Sequence, residues 1–210
     1  MRQRKAKNME ERMAALGHYL IEKPETYKGS WMSAFEQEGP LYLELGCGKG
    51  QFLISRAQSS CGVNLIGIEG QDSVLLRALE KADAAEIANI RFVHMFVRDV
   101  RDLFEDGELS GIYLNFSDPW PKARHAKRRL TYGEYLLRYK QILTKDGFIA
   151  VKTDNDDLFD FTLEEAGRVG LEIKEMTRDL HNSDYPARKR TTEYEDKFRA
   201  AGKTINYVLL

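Results

Sequence analysis

Short apolar runs alternate with helical patterns along most of this chain, and that alternation restricts its fold more than any other feature. The runs LYLEL (41–45), NLIGIEG (64–70), IRFVHMF (90–96), GIYLNFSD (111–118) and GFIAVKTD (147–154) read as buried strands. Residues 51–60 look helical. Val74, Leu75, Ala78, Leu79 and Ala82 recur at helical spacing, as do Tyr132, Tyr135, Leu136, Tyr139, Ile142 and Leu143. A further helix is expected over 156–170, opened by Thr153, with Asp156 and Asp157 at its positive end. LEIKEMTRDL (171–180) and TINYVLL (204–210) read as two late strands. No helix of useful length is evident between them, so they are expected to pair antiparallel. The sum is an α/β fold, a mostly parallel seven-stranded sheet with an antiparallel last strand and helices on both faces.

Ahead of this rhythm, residues 1–8 form a basic arm. Residues 9–16 carry a short helical pattern, and EKPETYKGSW reads as turns. The expected organisation is an N-terminal arm with a helical and loop segment (1–40) before one α/β domain (41–210). Charge is balanced overall, with 32 basic and 33 acidic side chains and a net charge of -1. Its distribution is not: cations gather in the arm, over 122–129 and at 188–190, a local footprint for a polyanion. The two cysteines, Cys47 and Cys61, form no CxxC pair, which argues against a disulfide scaffold or zinc site. No apolar run approaches the roughly 18 residues of a membrane span, and no apolar signal region follows the basic start. A cytoplasmic protein is expected.

In such folds ligands bind beyond the carboxyl ends of the strands, where strand order reverses. Glu44, the loop Gly46-Cys47-Gly48-Lys49-Gly50, Glu69, Asp118 and Asp154 all fall at predicted strand ends. Glycines such as Gly46 and Gly48 let the backbone turn tightly and a ligand approach. Glu69, 23 residues after Gly46, is placed to accept the hydroxyls of a ribose. The loop lacks the G-x-G-x-x-G spacing of dinucleotide enzymes and the G-K-[ST] of a P-loop. Glu44 would repel a pyrophosphate and attract the ammonium and sulfonium of S-adenosylmethionine, which is therefore the expected cofactor. Cys47 reads as a small residue filling the turn.

Asp118 is followed by Pro119, Trp120 and Pro121, then by Lys122, Arg124, His125, Lys127, Arg128 and Arg129 with no acid among them. The prolines stiffen the turn. Trp120 offers a face for a base, and the cations suit phosphates. The acid is expected to address a nucleobase while the basic run holds its backbone. DNDD (154–157) lacks the glycine and spacing of a calcium loop; no metal is expected.

NFSDPWPK, RHAKRRLT, KTDNDDLF, HNSDYP and TTEYEDKF, with HYLIEKPETYKGSW near the start, resemble the bacterial tRNA (guanine-N7-)-methyltransferases over nearly the whole chain. The resemblance implies a Rossmann-like class I methyltransferase. It implies S-adenosylmethionine contacts from Glu44, Glu69, Asp118 and the position of Phe96. It implies tRNA contacts along Arg124, His125, Ala126, Lys127, Arg128 and Arg129. Target-nucleotide contacts follow from Lys122, Asp154 and the stretch Thr192, Glu193, Tyr194, Glu195. The implied substrate is guanine 46 in the tRNA variable loop, and the implied product 7-methylguanosine. The family usually carries an acid or amide where this chain has Phe96; a Phe there can cover the adenine ring, and Asp99 is the nearest substitute carboxylate.

Guanine N7 bears an in-plane lone pair and no proton, so its methylation requires alignment rather than a general base. None of His18, His94, His125 or His181 need be catalytic. An acid such as Asp118 can stabilise the cationic product ring. Other readings stay open: transfer to an amino nitrogen, since SDPW also resembles the Asp-Pro-Pro-aromatic turn of amino methyltransferases, an RNA-binding module without catalysis, or an NAD-linked oxidoreductase. The sequence does not decide between monomer and homodimer.

Overall fold

The computed structural model describes residues 8–60 and 62–210; the expected basic arm over 1–7, and Cys61, lie outside the described residues. Seven strands form one sheet in the order β3-β2-β1-β4-β5-β7-β6. They are β1 Leu41–Leu45, β2 Asn64–Glu69, β3 Ile90–His94, β4 Leu109–Asn115, β5 Leu143–Thr153, β6 Glu175–Thr177 and β7 Asn206–Leu209. β1 pairs in parallel with β2 and β4, β2 with β3, and β4 with β5. β7 runs antiparallel to both β5 and β6. The central strands are buried almost throughout, as a sheet covered on both faces requires. The chain leaves β1 first toward β2 and β3, then returns on its other side to β4. The switch point therefore lies between β1 and β4, where an open α/β sheet has its ligand crevice.

Helices α1 Met9–Ala15, α2 Gln51–Ser59, α3 Asp72–Ala84, α4 Gly133–Ile142 and α5 Asp156–Arg168 follow the predicted pattern. Two apolar clusters hold the layers together. One joins Trp31, Leu43, Ile66, Ile112, Tyr139 and Phe159; the other joins Leu53, Leu65, Leu75, Leu79 and Phe92. Trp31 is fully buried, stacks on Phe104 and donates its indole N–H to Leu103 O at 2.8 Å. The segment before β1 is thus tied into the same core as the sheet. It also lies along the outer edge of β3, where Ile21 N donates to Phe92 O at 2.9 Å.

Several expectations change. A helix, α6 Glu193–Ala200, does lie between the two late strands. The strand expected over 171–180 shrinks to the three residues of β6. Asn155, not Thr153, caps α5, its side chain accepting from Leu158 N at 2.7 Å. Thr153 instead accepts from Asn155 N through its hydroxyl at 3.1 Å.

Candidate active site

A crevice of about 650 Å³ opens at the carboxyl ends of β1, β2, β3 and β4. Its floor begins with Glu44, the penultimate residue of β1, which lies beneath the glycine loop and is 2 % exposed. Asn115, at the end of the neighbouring β4, donates to Glu44 Oε1 at 2.7 Å. Glu44 Oε2 is buried and has no hydrogen-bond partner among the described residues. Burial pushes this carboxyl up to about 8 from an ordinary 4.5, against the opposing pull of the Asn115 hydrogen bond. A carboxyl in this state holds its proton unless a cation or donor favours the ionised form.

The loop over it turns through left-handed backbone at Gly46 (φ 73°) and Gly48 (φ 58°), conformations that favour glycine. Gly46 N and Cys47 N both donate to Ile68 O, at 2.9 and 3.1 Å, so the loop leans on the end of β2. Glu69 completes the tie: its two oxygens accept from Gly48 N at 3.1 Å and Gln71 N at 2.9 Å. Half-buried and anchored in this way, Glu69 lines the crevice. Cys47 is buried, and its Sγ lies 2.9 Å from the position a Cβ on Gly67 would take. Burial pushes its thiol up, which suits a packing residue rather than a nucleophile.

Phe96 lines the crevice after β3 and is 75 % exposed. Its ring lies so close to Gly70 that a Cβ there would come within 2.4 Å of it. Asp99 is absent from the crevice lining. Arg101 donates to it and Arg138 stands 3.6 Å away; the Arg101 hydrogen bond holds its carboxyl below the usual range.

The loop after β4 forms the opposite wall. Asp118 is exposed, lines the crevice and has no partner among the described residues. It sits between two non-glycine residues in left-handed backbone, Phe116 (φ 52°) and Trp120 (φ 42°). Such conformations cost on the order of 1–3 kcal/mol and persist only where the surroundings impose them. Arg128 stacks over the Trp120 ring at 4.9 Å and His125 meets it edge-on at 5.7 Å.

Helix α6 supplies the last wall through Thr192, Glu193, Tyr194 and Lys197. Thr192 caps it, its hydroxyl accepting from Glu195 N at 3.0 Å. Glu193 pairs with Lys81 of α3, and Gln51 of α2 donates to Asp196 at 2.7 Å. Glu195 does not reach the crevice lining. It is fully buried and paired with Lys152 of β5 at 3.1 Å. Lys152 Nζ also donates to Ala187 O at 2.9 Å and Arg190 O at 2.6 Å.

Among the predicted site residues, the crevice gathers Glu44, Gly46, Gly48, Glu69, Phe96, Asp118, Arg128, Thr192, Glu193 and Tyr194. Lys122, Arg124 and Lys127 are exposed beside it on the turn 123–128 and its approach, with His125 and Ala126 half-buried. Arg129 is turned into the fold and buried. Asp154 accepts from Lys203 Nζ at 3.1 Å and is absent from the crevice lining. Sequence reasoning missed Asn115, Lys197 and Tyr135, all of which line the site. An asparagine at the end of an otherwise apolar strand was the available signal for the first. Among the described residues, no group of three or more His, Cys, Asp or Glu is placed to hold a metal ion, and no helix is long and apolar enough to cross a membrane.

Comparison with known proteins agrees with this geometry. Residues 38–208 match the model of a family described as "Putative methyltransferase". A tRNA (guanine-N(7)-)-methyltransferase of Lachnoclostridium phytofermentans is 47% identical over 192 residues, covering 91% of this chain and 90% of that one. The protein of the same name from Geobacillus sp. is 42% identical over 205 residues, covering 98% and 93%. Solved structures sharing the fold include an antibiotic-related methyltransferase, at 14% identity and TM-score 0.61 over 86% of this chain and 91% of that one. Another is a SAM-dependent methyltransferase from Aquifex aeolicus, at 12% identity and TM-score 0.54 over 97% and 98%. Identity this high over nine-tenths of the chain, on a class I methyltransferase fold with its crevice at the β1/β4 switch point, shows that the chain belongs to the tRNA (guanine-N7-)-methyltransferase family.

Proposed function

We propose that this enzyme transfers a methyl group from S-adenosylmethionine to N7 of a guanine in the variable loop of tRNA, position 46, yielding 7-methylguanosine. The observation that carries the reading is the pairing, in one crevice, of a buried carboxyl whose Oε2 lacks a partner among the described residues (Glu44) with a free carboxylate beside an aromatic face and a basic rim (Asp118, Trp120, Arg128). The names borne by relatives at 42–47% identity support the same chemistry. A tRNA substrate fits the cytoplasmic setting expected from the sequence.

The residues fit the cofactor. Glu44 Oε2 is a buried oxygen that an ammonium or sulfonium would draw into its ionised form, and Glu69 offers acceptors to a ribose. The left-handed turns at Gly46 and Gly48 keep side chains out of the space between them. Bound there, S-adenosylmethionine supplies an electrophilic methyl group on a sulfonium. The chain's own work is to align and to exclude water. Trp120 receives the displaced base by stacking. Asp118 accepts the N1–H and N2–H of guanine and opposes the positive charge that the purine acquires. An adenine presents a lone pair at N1 instead and is rejected, by about 10⁴-fold for a site built on such hydrogen bonds. The N7 edge faces a deep, narrow groove in A-form RNA, so the target is a loop base. Lys122, Arg124, His125 and Lys127 hold the flanking phosphates, with Arg128 bridging rim and ring.

Two tests follow. Asp118→Ala is expected to lower kcat for methyl transfer to tRNA by about 10²–10³, the usual cost of losing one charge-stabilising group, with cofactor binding weakened less. Nucleoside mass spectrometry of the wild-type product must give 7-methylguanosine; N2-methylguanosine or N6-methyladenosine sinks the assignment. Second, Arg124→Ala and Lys127→Ala are each expected to flatten the log–log salt dependence of tRNA binding by about 0.7–0.9. Filter binding at a series of salt concentrations measures it, and an unchanged slope removes those side chains from the interface.

A further inference from the structure

The basic run 122–129 does not behave as one surface. Arg129 differs from its neighbours in being 9 % exposed. Its Nε donates to Pro119 O at 3.0 Å and its terminal nitrogen Nη2 to Trp120 O at 3.2 Å. Its guanidinium lies 4.2 Å from the centre of the Phe161 ring on α5. We propose that Arg129 is a positioning residue that clamps the Asp118 turn from inside the fold, and not a contact to the tRNA backbone. The proposal rests on the reading of Asp118 given above.

Two adjacent carbonyls captured by one planar fork fix the orientation of the peptide units on either side of Trp120. Guanidinium geometry suits this task and a lysine ammonium does not. The clamp sits where the backbone needs it, because Trp120 carries a φ of 42° that a tryptophan adopts only under constraint. At the other end of the turn, Phe116, also left-handed, is held by its N–H donating to Lys152 O at 2.8 Å. Asp118 therefore hangs between two fastened points. The packing of the guanidinium against Phe161 and its two carbonyl bonds leave little of it for a phosphate. Arg128, by contrast, is exposed and covers the Trp120 ring. One arginine holds the turn's backbone from beneath while the next faces the ligand side.

Three measurements on Arg129→Ala test this, with Arg128→Ala alongside. Saturating-tRNA kinetics should give kcat at least 30-fold below wild type. The salt slope of tRNA binding should stay at the wild-type value, whereas Arg128→Ala should lose about 0.7–0.9. Acrylamide quenching of tryptophan should rise about twofold, since the chain has two tryptophans and Trp31, fully buried, stays shielded; a Trp120→Phe control assigns the signal. A slope lowered by 0.7–0.9 in Arg129→Ala, or unchanged quenching, overturns the proposal. Should the alanine variant fail to fold, Arg129→Lys serves: reduced kcat at an unchanged slope supports the clamp, and wild-type kcat overturns it. Quenching does not depend on catalysis. If wild-type protein methylates no tRNA, the proposed function fails, while the quenching result still judges the clamp.

Discussion

Glu44→Gln is expected to weaken S-adenosylmethionine binding by about 100-fold and, at the same time, to make the protein more stable at pH 8. Both effects come from the carboxyl that burial lifts to about 8. In the unfolded chain this group sheds its proton near its ordinary value of 4.5. In the folded protein it keeps the proton until about pH 8. Between those limits the native state binds more protons, so stability falls as pH rises. The group's contribution is fully present below pH 4.5, is lost on the way to about pH 8, and stays lost above. Each unit of separation corresponds to about 1.4 kcal/mol, so the loss at pH 8 is on the order of 3 kcal/mol or more. Glutamine keeps an oxygen for Asn115 and has no proton to lose. Urea midpoints of wild type and variant should therefore nearly coincide at pH 4.5 and diverge by pH 8. A cationic ligand reverses the burial effect by favouring the ionised form, so cofactor binding at neutral pH should release a proton. Calorimetry in buffers of different ionisation enthalpy reads that release directly. Unaltered cofactor affinity in Glu44→Gln would remove Glu44 from the cofactor site.

Breaking the Lys152–Glu195 pair is expected to be the most damaging change to stability. Burial pushes the Lys152 ammonium down and the Glu195 carboxyl up, each opposed by its partner's charge. His181 Nε2 stands 2.9 Å from Glu195 Oε1, and burial holds its imidazole below its usual value, so Lys152 is the cation that compensates Glu195. Lys152→Met strands a buried carboxylate and leaves the Ala187 and Arg190 carbonyls without their donor. A cost of about 3–5 kcal/mol follows. Replacing both partners, Lys152→Met with Glu195→Leu, should recover the part due to the stranded charge and leave the cost of the two carbonyls that Lys152 no longer meets. The double variant should nevertheless remain impaired with tRNA. Lys152 joins β5 to the 186–190 turn and to α6, whose outer residues wall the crevice. Denaturant unfolding of the four proteins in the cycle measures the coupling. Additive losses would show that the pair does not act as a unit.

Much of the fold was legible because burial on both faces writes itself as short, mostly apolar runs, and five of the seven strands contain such a run. The strand-end acids were legible for a related reason. A carboxyl that closes an apolar run lies at or just past the strand's carboxyl end, and Glu44, Glu69 and Asp118 meet in one crevice there. Helix α6 was not, because EYEDKFRA is nearly all polar and draws its hold from Lys152, more than forty residues earlier in the chain. One local signal existed: Thr192 followed three residues later by Glu195 is a capping-box pattern, and the threonine does cap the helix. Arg129 and Glu195 both look like surface charges in sequence. What buries them, two carbonyls of a turn in one case and a lysine on a central strand in the other, is set by tertiary approach alone. Asp154 shows the converse. Its strand end was read correctly, yet a partner from the segment after α6, Lys203, takes its carboxylate.

The N-terminal segment that lies along β3 bears on how copies of this protein meet. Through Ile21 it occupies part of the hydrogen-bonding margin that β3 would otherwise expose. The opposite margin, β6, is three residues long, too brief a template for an incoming strand. With both flanks blunted in this way, a crowded solution of the enzyme has poor footing for sheet-to-sheet growth into fibrils.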